Sequence, residues 1–265
     1  MRELLAAWML LMIPVLTPLR AHAEFDRTHA AWSALLAKHV KLADARGSAS
    51  RVDYAGFARE RAALEAYLGQ LARVTPAQFA ALPREDQIAL LVNAYNAGTV
   101  ALILSEYPRH ASIKDYGSLL RSAWQRPFVR LLGQTLTLDQ IEHERLRGAR
   151  GYGEPRVHFA VNCASIGCPM LREEAYVGAR LDAQLEQQAV RFLSDRTRNR
   201  WDPRTRTLQL SAIFDWYGDD FSSGDVPRFL ARYAAALGAD AAVLSQPGTD
   251  VDFLDYDWRL NDVAR

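Results

Sequence analysis

The sequence predicts an α+β fold, a helix-rich single domain around a small antiparallel sheet with a buried central helix. Amphipathic helical patterns recur along most of the chain. The short strand patterns do not alternate regularly with the helices, which argues against a doubly wound parallel sheet. Residues 88–104 are apolar on nearly every side, a pattern typical of a helix that is buried all round.

The first residues have the pattern of a targeting segment. Arg2 precedes an apolar run over 4–16, and Ala21-His22-Ala23 has the small residues of a cleavage site. The run is too short to span a bilayer comfortably and contains a proline. We therefore expect residues 1–23 to be a signal peptide. Residues 24–265 would then be one exported domain, periplasmic or secreted, with no membrane span after cleavage.

Composition excludes some partners. The chain has 32 Lys and Arg against 31 Asp and Glu, with no basic block, so nucleic acid and anionic membrane surfaces gain no support as partners. Hydrophobic residues make up 49% of the chain, enough for a substantial core. The two cysteines would therefore add to the stability of a packed core and would not be its framework.

The N-terminal half is predicted to be helical over 25–43, 55–71 and 84–107. The last of these is the strongest helix pattern and contains Asn93 and Asn96, three residues apart on one face. A buried amide without partners costs about 1–3 kcal/mol, so both side chains must bond to something. They either tie loops to the central helix or bind substrate.

Two shorter features follow. Residues 128–138 alternate around a Gly-Gln pair and predict a hairpin. Thr137 and Gln140 then match a capping box that starts a helix over 138–147. At about 100° per residue Glu142 faces inward, while His143 lies on the flank. Glu142 would either pair with a nearby arginine or orient a histidine.

The C-terminal half predicts a long helix over 178–195, a second hairpin around 202–205, a helix capped by Asp225 and a closing strand over 250–256. Between them, residues 213–221 concentrate aromatic side chains. A cluster of this kind is more often core than a ligand-binding surface.

The stretch 156–171, with sequence RVHFAVNCASIGCPML, holds both cysteines. Residues 156–162 alternate and predict a strand, and the turn-forming residues that follow predict a tight loop. Both sulfurs would thus lie in that loop. Because thiolates are nucleophiles and metal ligands, this stretch is where chemistry is expected.

Five motifs stand out along the chain. They are VNAYNAGTVALIL (92–104), SIKD (112–115), LTLDQIEHERLR (136–147), RVHFAVNCASIGCPML (156–171) and FLDYDWRLN (253–261). Together, and in this order, they resemble the domain-of-unknown-function family 547, and the resemblance covers nearly the whole chain from 25 to 261. The resemblance fits an exported bacterial protein and supplies no reaction.

One functional hypothesis is a cysteine-dependent hydrolase or acyl transferase. Cys163 would attack an amide or ester, such as a peptide or small molecule of the cell envelope. Its base would be His158 or His143. On a straight strand, His158 would face away from Cys163, whereas His143 has no such obstacle. Glu142 would orient the imidazole, or Asn93 could.

The same hypothesis predicts an oxyanion hole and substrate-binding residues. The backbone amides of 163–167 are expected to form an oxyanion hole. Asn93 and Asn96 are the candidate substrate-binding residues on the central helix. No metal or other cofactor is predicted, although two cysteines and two histidines would permit a zinc-like set by spacing alone.

The alternative is a non-catalytic envelope or binding protein with a structural Cys163–Cys168 disulfide, since two nearby cysteines in an exported protein commonly pair. The two hypotheses differ in what they require. An enzyme needs a free Cys163 at a solvent-open cleft that also contains a histidine and Glu142. A binding protein with a disulfide needs neither.

Overall fold

The computed structural model describes residues 25–118, 121–147, 151–246 and 249–264. The predicted signal peptide, residues 1–23, lies outside the described residues. The helix-rich α+β architecture is confirmed, as is the buried central helix.

Ten α-helices and seven strands are found among the described residues. The helices are α1 (Ala30–His39), α2 (Tyr54–Arg59), α3 (Arg61–Ala72), α4 (Pro76–Ala80), α5 (Arg84–Glu106), α6 (Leu181–Ser194), α7 (Ile213–Trp216), α8 (Val226–Ala231), α9 (Ala234–Leu237) and α10 (Ala241–Leu244). The strands are β1 (Val40–Leu42), β2 (Ser50–Val52), β3 (Val129–Leu131), β4 (Gln134–Leu136), β5 (Arg200–Asp202), β6 (Thr207–Ser211) and β7 (Asp250–Leu254).

Short helical segments connect several of these elements. Most are 3₁₀ turns, and one is a π-helix that carries Glu142 and His143. The 3₁₀ turns are Ile113–Tyr116, Ala123–Gln125, Pro155–Phe159, Gly178–Arg180, Gly218–Asp220 and Ser222–Gly224, and the π-helix is Gln140–Leu146.

Helix α5 runs through the centre of the molecule. It is long and apolar enough to cross a membrane by length and composition, but 89% of its apolar window is buried within the protein. Gly98 brings β3 close to it, since a Cβ at that position would lie 2.9 Å from Val129 Cγ2. The helix therefore serves as the axis around which the other elements pack.

Two apolar clusters form the core. The first surrounds α5 and includes side chains of α1, α2 and α3. The second is rich in phenylalanine and packs α6, β6, α7 and α8 together, with Phe159 and Phe221 fully buried in it. Large aromatic side chains dominate the burial in the second cluster, and offset ring contacts such as Phe159–Phe192 at 5.3 Å add to it.

The strands form three separate small sheets. Antiparallel pairs β1–β2 and β3–β4 are the first two, and β5–β6–β7 is the third. Both predicted hairpins are present as β3–β4 and β5–β6. The closing strand β7 pairs with β6 in parallel, because helices α7 to α10 carry the chain back to the start of the sheet.

The predicted strand over 156–162 is wrong. Pro155–Phe159 is a 3₁₀ turn, capped by the Glu154 side chain, which accepts a hydrogen bond from Arg156 N. Residues 157–162 are all buried, so their alternation does not mark one buried and one exposed face. A short apolar run without such a face does not distinguish a strand from a buried helical turn.

Candidate functional site

The loop that carries both cysteines, residues 163–168, is called the cysteine loop below. Helix α5 is hydrogen-bonded to the residues that lead into this loop. Asn96 Nδ2 donates to Ala160 O at 3.0 Å, and Asn96 Oδ1 accepts from Asn162 N at 2.8 Å. Both ends of the Asn96 amide are therefore bonded to backbone. This fixes where the chain leaves the 3₁₀ turn and enters the cysteine loop.

Asn93 has the same kind of role for a different segment. Its Nδ2 donates to Tyr176 O at 2.7 Å, and its Oδ1 accepts from Tyr176 N at 3.0 Å. Neither Asn93 nor Asn96 lines the cavity described below. Their predicted role in substrate binding is not supported, because their hydrogen-bonding groups are used to tie loops to α5.

The segment 256–261 near the C-terminus holds the cysteine loop from its other side. Ile166 N donates to Arg259 O at 2.9 Å, and Gly167 N donates to Asp257 O at 2.9 Å. Asn261 N donates to Ala164 O at 3.0 Å. These backbone bonds bring Tyr256 against Cys163.

The Cys163 thiol lies in a polar setting. Its Sγ is 3.1 Å from Ser165 Oγ and 3.1 Å from Tyr256 Oη, and those two oxygens are 3.2 Å apart. Burial raises the pKa of Cys163, but hydrogen bonds from Cys168, Ser165 and Tyr256 outweigh it and hold the pKa below its usual value. The arrangement stabilises a thiolate on a partly exposed side chain.

Tyr256 is suited to donate this hydrogen bond. Burial, together with negative charge on Cys163, raises its pKa well above the usual value. Its hydroxyl therefore stays protonated at neutral pH and can donate a hydrogen bond to an anionic acceptor.

The cysteine loop does not form the predicted oxyanion hole, because each of its amides already has an acceptor. Cys163 N bonds to Cys168 Sγ, Ala164 N to Asn162 Oδ1 and Cys168 N to Ser165 O. The amide of Ser165 bonds to Cys163, and the amides of Ile166 and Gly167 bond to backbone oxygens of the C-terminal segment. No amide of the cysteine loop is therefore left to donate to a developing oxyanion, and the side chains that line the cavity are the candidate donors.

Both cysteines are free thiols. Cys168 Sγ accepts from Cys163 N at 2.8 Å and contacts Val161 O at 3.8 Å. Burial and its hydrogen bond to Cys163 raise the pKa of Cys168. The structural disulfide of the alternative hypothesis is not formed in this structure, and the two thiols differ in ionisation, with Cys163 the more acidic.

His158 is held by a carboxylate that the sequence did not single out. Its Nε2 donates to Asp220 Oδ2 at 2.8 Å, and Arg147 Nε donates to the same oxygen at 2.8 Å. The hydrogen bond from His158 and the pairing with Arg147 lower the pKa of Asp220 to about 2, against the effect of its burial. The imidazole stacks on Tyr217 with ring centroids 4.5 Å apart. His158 is thus oriented with Nδ1 left to accept a proton.

His143 and Glu142 lie on the π-helix, where Thr137 and Gln140 form the predicted capping bonds. His143 is exposed, 3.8 Å from Asp139 Oδ1, and its Nδ1 accepts from Arg147 Nη1 at 3.2 Å. The groups in contact with His143 are therefore Asp139 and Arg147, and the predicted pairing of Glu142 with a histidine is not seen among the described residues.

Glu142 is buried, as its position on the inward face predicts. It accepts hydrogen bonds from the hydroxyls of Tyr95 and Tyr217. Burial raises the pKa of both tyrosines, and the Glu142 charge raises it further. Glu142 therefore fixes two ring positions beside Cys163.

These groups meet at one cavity of about 270 Å³, where the two apolar clusters adjoin. It is lined by Tyr95, Trp124, Asp139, Glu142, His143, His158, Val161, Cys163, Cys168, Pro169, Ile213, Trp216, Tyr217, Tyr256 and Trp258. All four predicted catalytic residues line this cavity, whereas Asn93 and Asn96 do not. Within the described part of the chain, no group of three or more His, Cys, Asp or Glu side chains is placed to hold a metal ion.

Sequence reasoning missed Tyr256, Asp220 and Asp139. Tyr256 lies in the FLDYDWRLN motif, so the motif was a usable signal, but its contact with Cys163 depends on the fold. The aromatic segment around α7 is divided between core and site. Phe214 and Phe221 are buried in the second cluster, while Trp216 and Tyr217 line the cavity.

Comparison with known proteins gives one match. The model of a family described as "Protein of unknown function, DUF547" matches residues 79–193. This range contains α5, the π-helix and the cysteine loop, but not Asp220 or Tyr256. No curated protein and no solved structure matches the chain.

Proposed function

Since the chain belongs to the DUF547 family, whose description names no activity, we propose that it is a cysteine-dependent hydrolase or acyl transferase acting on an amide or ester. One observation carries the proposal. The Cys163 sulfur, held by the hydroxyls of Ser165 and Tyr256, lines the same cavity as a histidine that a carboxylate orients. A nucleophile, a base and an orienting acid are the parts that covalent acyl transfer requires.

In the first half of the reaction, the Cys163 thiolate attacks the acyl carbon and forms a carbon–sulfur bond. The carbonyl electrons move to oxygen, where a negative charge develops. The proton of the Cys163 thiol passes to His158 Nδ1, before or during the attack, because Nε2 donates to Asp220. The resulting imidazolium is stabilised by the Asp220 carboxylate.

The developing oxyanion needs donors, and the amides of the cysteine loop are occupied. The Tyr256 hydroxyl is the strongest candidate, because it retains its proton and already points to the Cys163 sulfur at 3.1 Å. When the new carbon–sulfur bond removes the charge from the sulfur, the Tyr256 hydroxyl can reorient and donate its hydrogen bond to the substrate oxygen beside it.

In the second half, the carbon–nitrogen or carbon–oxygen bond of the substrate breaks. The imidazolium returns its proton to the leaving amine or alcohol, and the acyl group remains on Cys163 as a thioester. Attack by water completes hydrolysis, whereas attack by an amine or alcohol completes transfer. In both cases His158 accepts a proton from the attacking group and the carbon–sulfur bond breaks. The proton then returns from His158 to the released Cys163 sulfur, which restores the starting state.

The role of His143 is different in this proposal. Its Nδ1 is occupied by Arg147 and its Nε2 faces Asp139, so it contributes polarity to the cavity and not the base. A native location in the cell envelope, as the predicted signal peptide implies, would set which amides and esters the protein meets.

The test is trapping of the acyl-enzyme. The chain 24–265 is incubated with p-nitrophenyl esters of small acids, and intact mass spectrometry then measures any adduct. We expect one acyl group on Cys163, none on Cys163→Ala, and normal adduct formation by Ser245→Ala, which removes an exposed hydroxyl. Equal acylation of Cys163→Ala, or no adduct on the parent protein with any ester or amide tested, would overturn the proposal.

A further inference from the structure

Four aromatic side chains form a continuous surface on one side of the cavity. Trp258 is their centre, with ring centroids 5.5 Å from Trp216, 4.5 Å from Tyr256 and 5.9 Å from Trp124. This group is called the aromatic wall. An aromatic face carries partial negative charge, so a wall of such faces attracts cations as well as apolar groups.

Besides two histidines and the tyrosines, the ionisable side chains that line the cavity are two carboxyl groups and two thiols. Asp139 and Glu142 supply carboxylates, and Cys163 supplies a thiolate. Among the described residues, no lysine or arginine lines the cavity. Arg147 is paired with Asp220, the carboxylate that is bonded to His158. The carboxylates and the thiolate of the lining are therefore not matched by a lysine or arginine within the lining itself.

The same rings already hold cations in this structure. Lys114 Nζ lies 4.0 Å from the centroid of Trp258, and Arg147 Cζ lies 4.4 Å from that of Tyr217. Neither cation is a lining residue. The Tyr217 hydroxyl also donates a hydrogen bond to Glu142. These contacts indicate that the aromatic surroundings favour positive charge from the protein itself.

We propose that the cavity selects an organic cation, so that the substrate group entering beside Cys163 carries an ammonium or quaternary ammonium. The inference rests on the proposed function only in calling this ligand a substrate. A neutral ring, such as a sugar, could also stack on the aromatic wall, but it would leave Asp139 and Glu142 without a counter-charge. The cavity of about 270 Å³ suits an amino-acid-sized group and not a folded polymer.

The test compares two small molecules of the same shape that differ in charge. Choline and 3,3-dimethylbutan-1-ol are titrated into Cys163→Ala protein by calorimetry at neutral pH, so that no turnover occurs. We expect choline to bind at least about tenfold more tightly, because its charge gains from both the rings and the carboxylates. Equal affinities, or no heat from choline at millimolar concentration, would overturn the inference.

Substitutions locate the binding. Asp139→Asn keeps the size of the side chain and removes its charge, so it should reduce the preference for choline, as should Trp258→Leu. Asp252→Asn, at an exposed position on β7, is the matched control and should leave the preference unchanged. An undiminished preference in folded Asp139→Asn and Trp258→Leu proteins would contradict the assigned cavity.

The two proposals fail separately. If choline is preferred but no ester or amide acylates Cys163, the cation site stands and the catalytic proposal falls. If esters acylate Cys163 while choline and its neutral isostere bind alike, the catalytic proposal stands and the cation site falls.

Discussion

Cys163 Sγ lies 3.1 Å from the hydroxyl oxygen of Tyr256, although 93 residues separate them in the chain. The contact exists because the segment 256–261 pairs with the cysteine loop through backbone hydrogen bonds. It links the acidity of the proposed nucleophile to the integrity of the C-terminal segment. The proposed oxyanion donor is placed by the same contact.

Tyr256→Phe should raise the pKa of Cys163, because it removes one hydrogen bond to the thiolate. The parent protein should react with iodoacetamide below pH 9.0, the ordinary pKa of the thiol, and the variant should need a more alkaline pH. Peptide mapping after labelling at a series of pH values measures Cys163 separately from Cys168. Tyr152→Phe, which loses a hydroxyl bonded to Gln87, is the control. Identical profiles for Tyr256→Phe and the parent would contradict the assigned donor.

Asp220→Asn should slow acylation of Cys163 by about 10²- to 10⁴-fold, since the amide no longer stabilises a protonated His158 and can favour the wrong tautomer. The rate of p-nitrophenol release measures this. Asp219→Asn, at the exposed neighbouring position, should retain the parent rate. If Asp220→Asn also retains it, His158 is not the base, and His143→Asn becomes the variant to compare.

Asp220 should also contribute to stability in a defined pH range. Its pKa falls from 3.8 to about 2 on folding, so the ionised form is favoured in the folded protein. The contribution is fully present above pH 3.8 and is lost as the pH falls towards 2. Urea unfolding at a series of pH values should therefore reveal a smaller acid loss of stability in Asp220→Asn than in the parent. Parallel curves for the two proteins would argue against the depressed pKa.

Asn96→Ala should destabilise the protein by about 1–3 kcal/mol for each buried group left unpaired, Ala160 O and Asn162 N. It should also reduce Cys163 labelling, because the entrance to the cysteine loop loses its attachment to α5. Denaturant unfolding measures the first effect. Gln134→Ala, exposed on β4, should change the free energy of unfolding little. An Asn96→Ala protein with parent stability would show that the loop is held by other contacts.

Gly167→Ala tests the close packing of the cysteine loop against Tyr256. A Cβ at position 167 would lie 3.0 Å from Asp257 N and 3.0 Å from Tyr256 Cδ1, so the C-terminal segment must move away. We expect lower stability and a labelling profile displaced towards alkaline pH, like that of Tyr256→Phe. Gly218→Ala, where a Cβ would meet nothing within 4 Å, should label as the parent does. Parent-like labelling of Gly167→Ala would mean that Tyr256 moves together with the cysteine loop and keeps its contact with Cys163.

The predictions from sequence succeeded where a local pattern is sufficient. The central helix was recognised from its continuous apolar run, and the capping box of Thr137 and Gln140 from its spacing. Glu142 was correctly assigned to an inward face. The strand over 156–162 failed, because a fully buried apolar segment has no exposed face to reveal its period.

The sequence by itself determined the helix-rich fold class, the family resemblance and four of the residues that line the cavity. Only the tertiary structure decided their partners. In the fold, His158 is hydrogen-bonded to Asp220, Glu142 to Tyr95 and Tyr217, and Asn96 to backbone groups. The physical reason is that a local pattern fixes which face of an element is buried. Hydrogen-bond partners 62 or 93 residues away are fixed only when whole elements pack together.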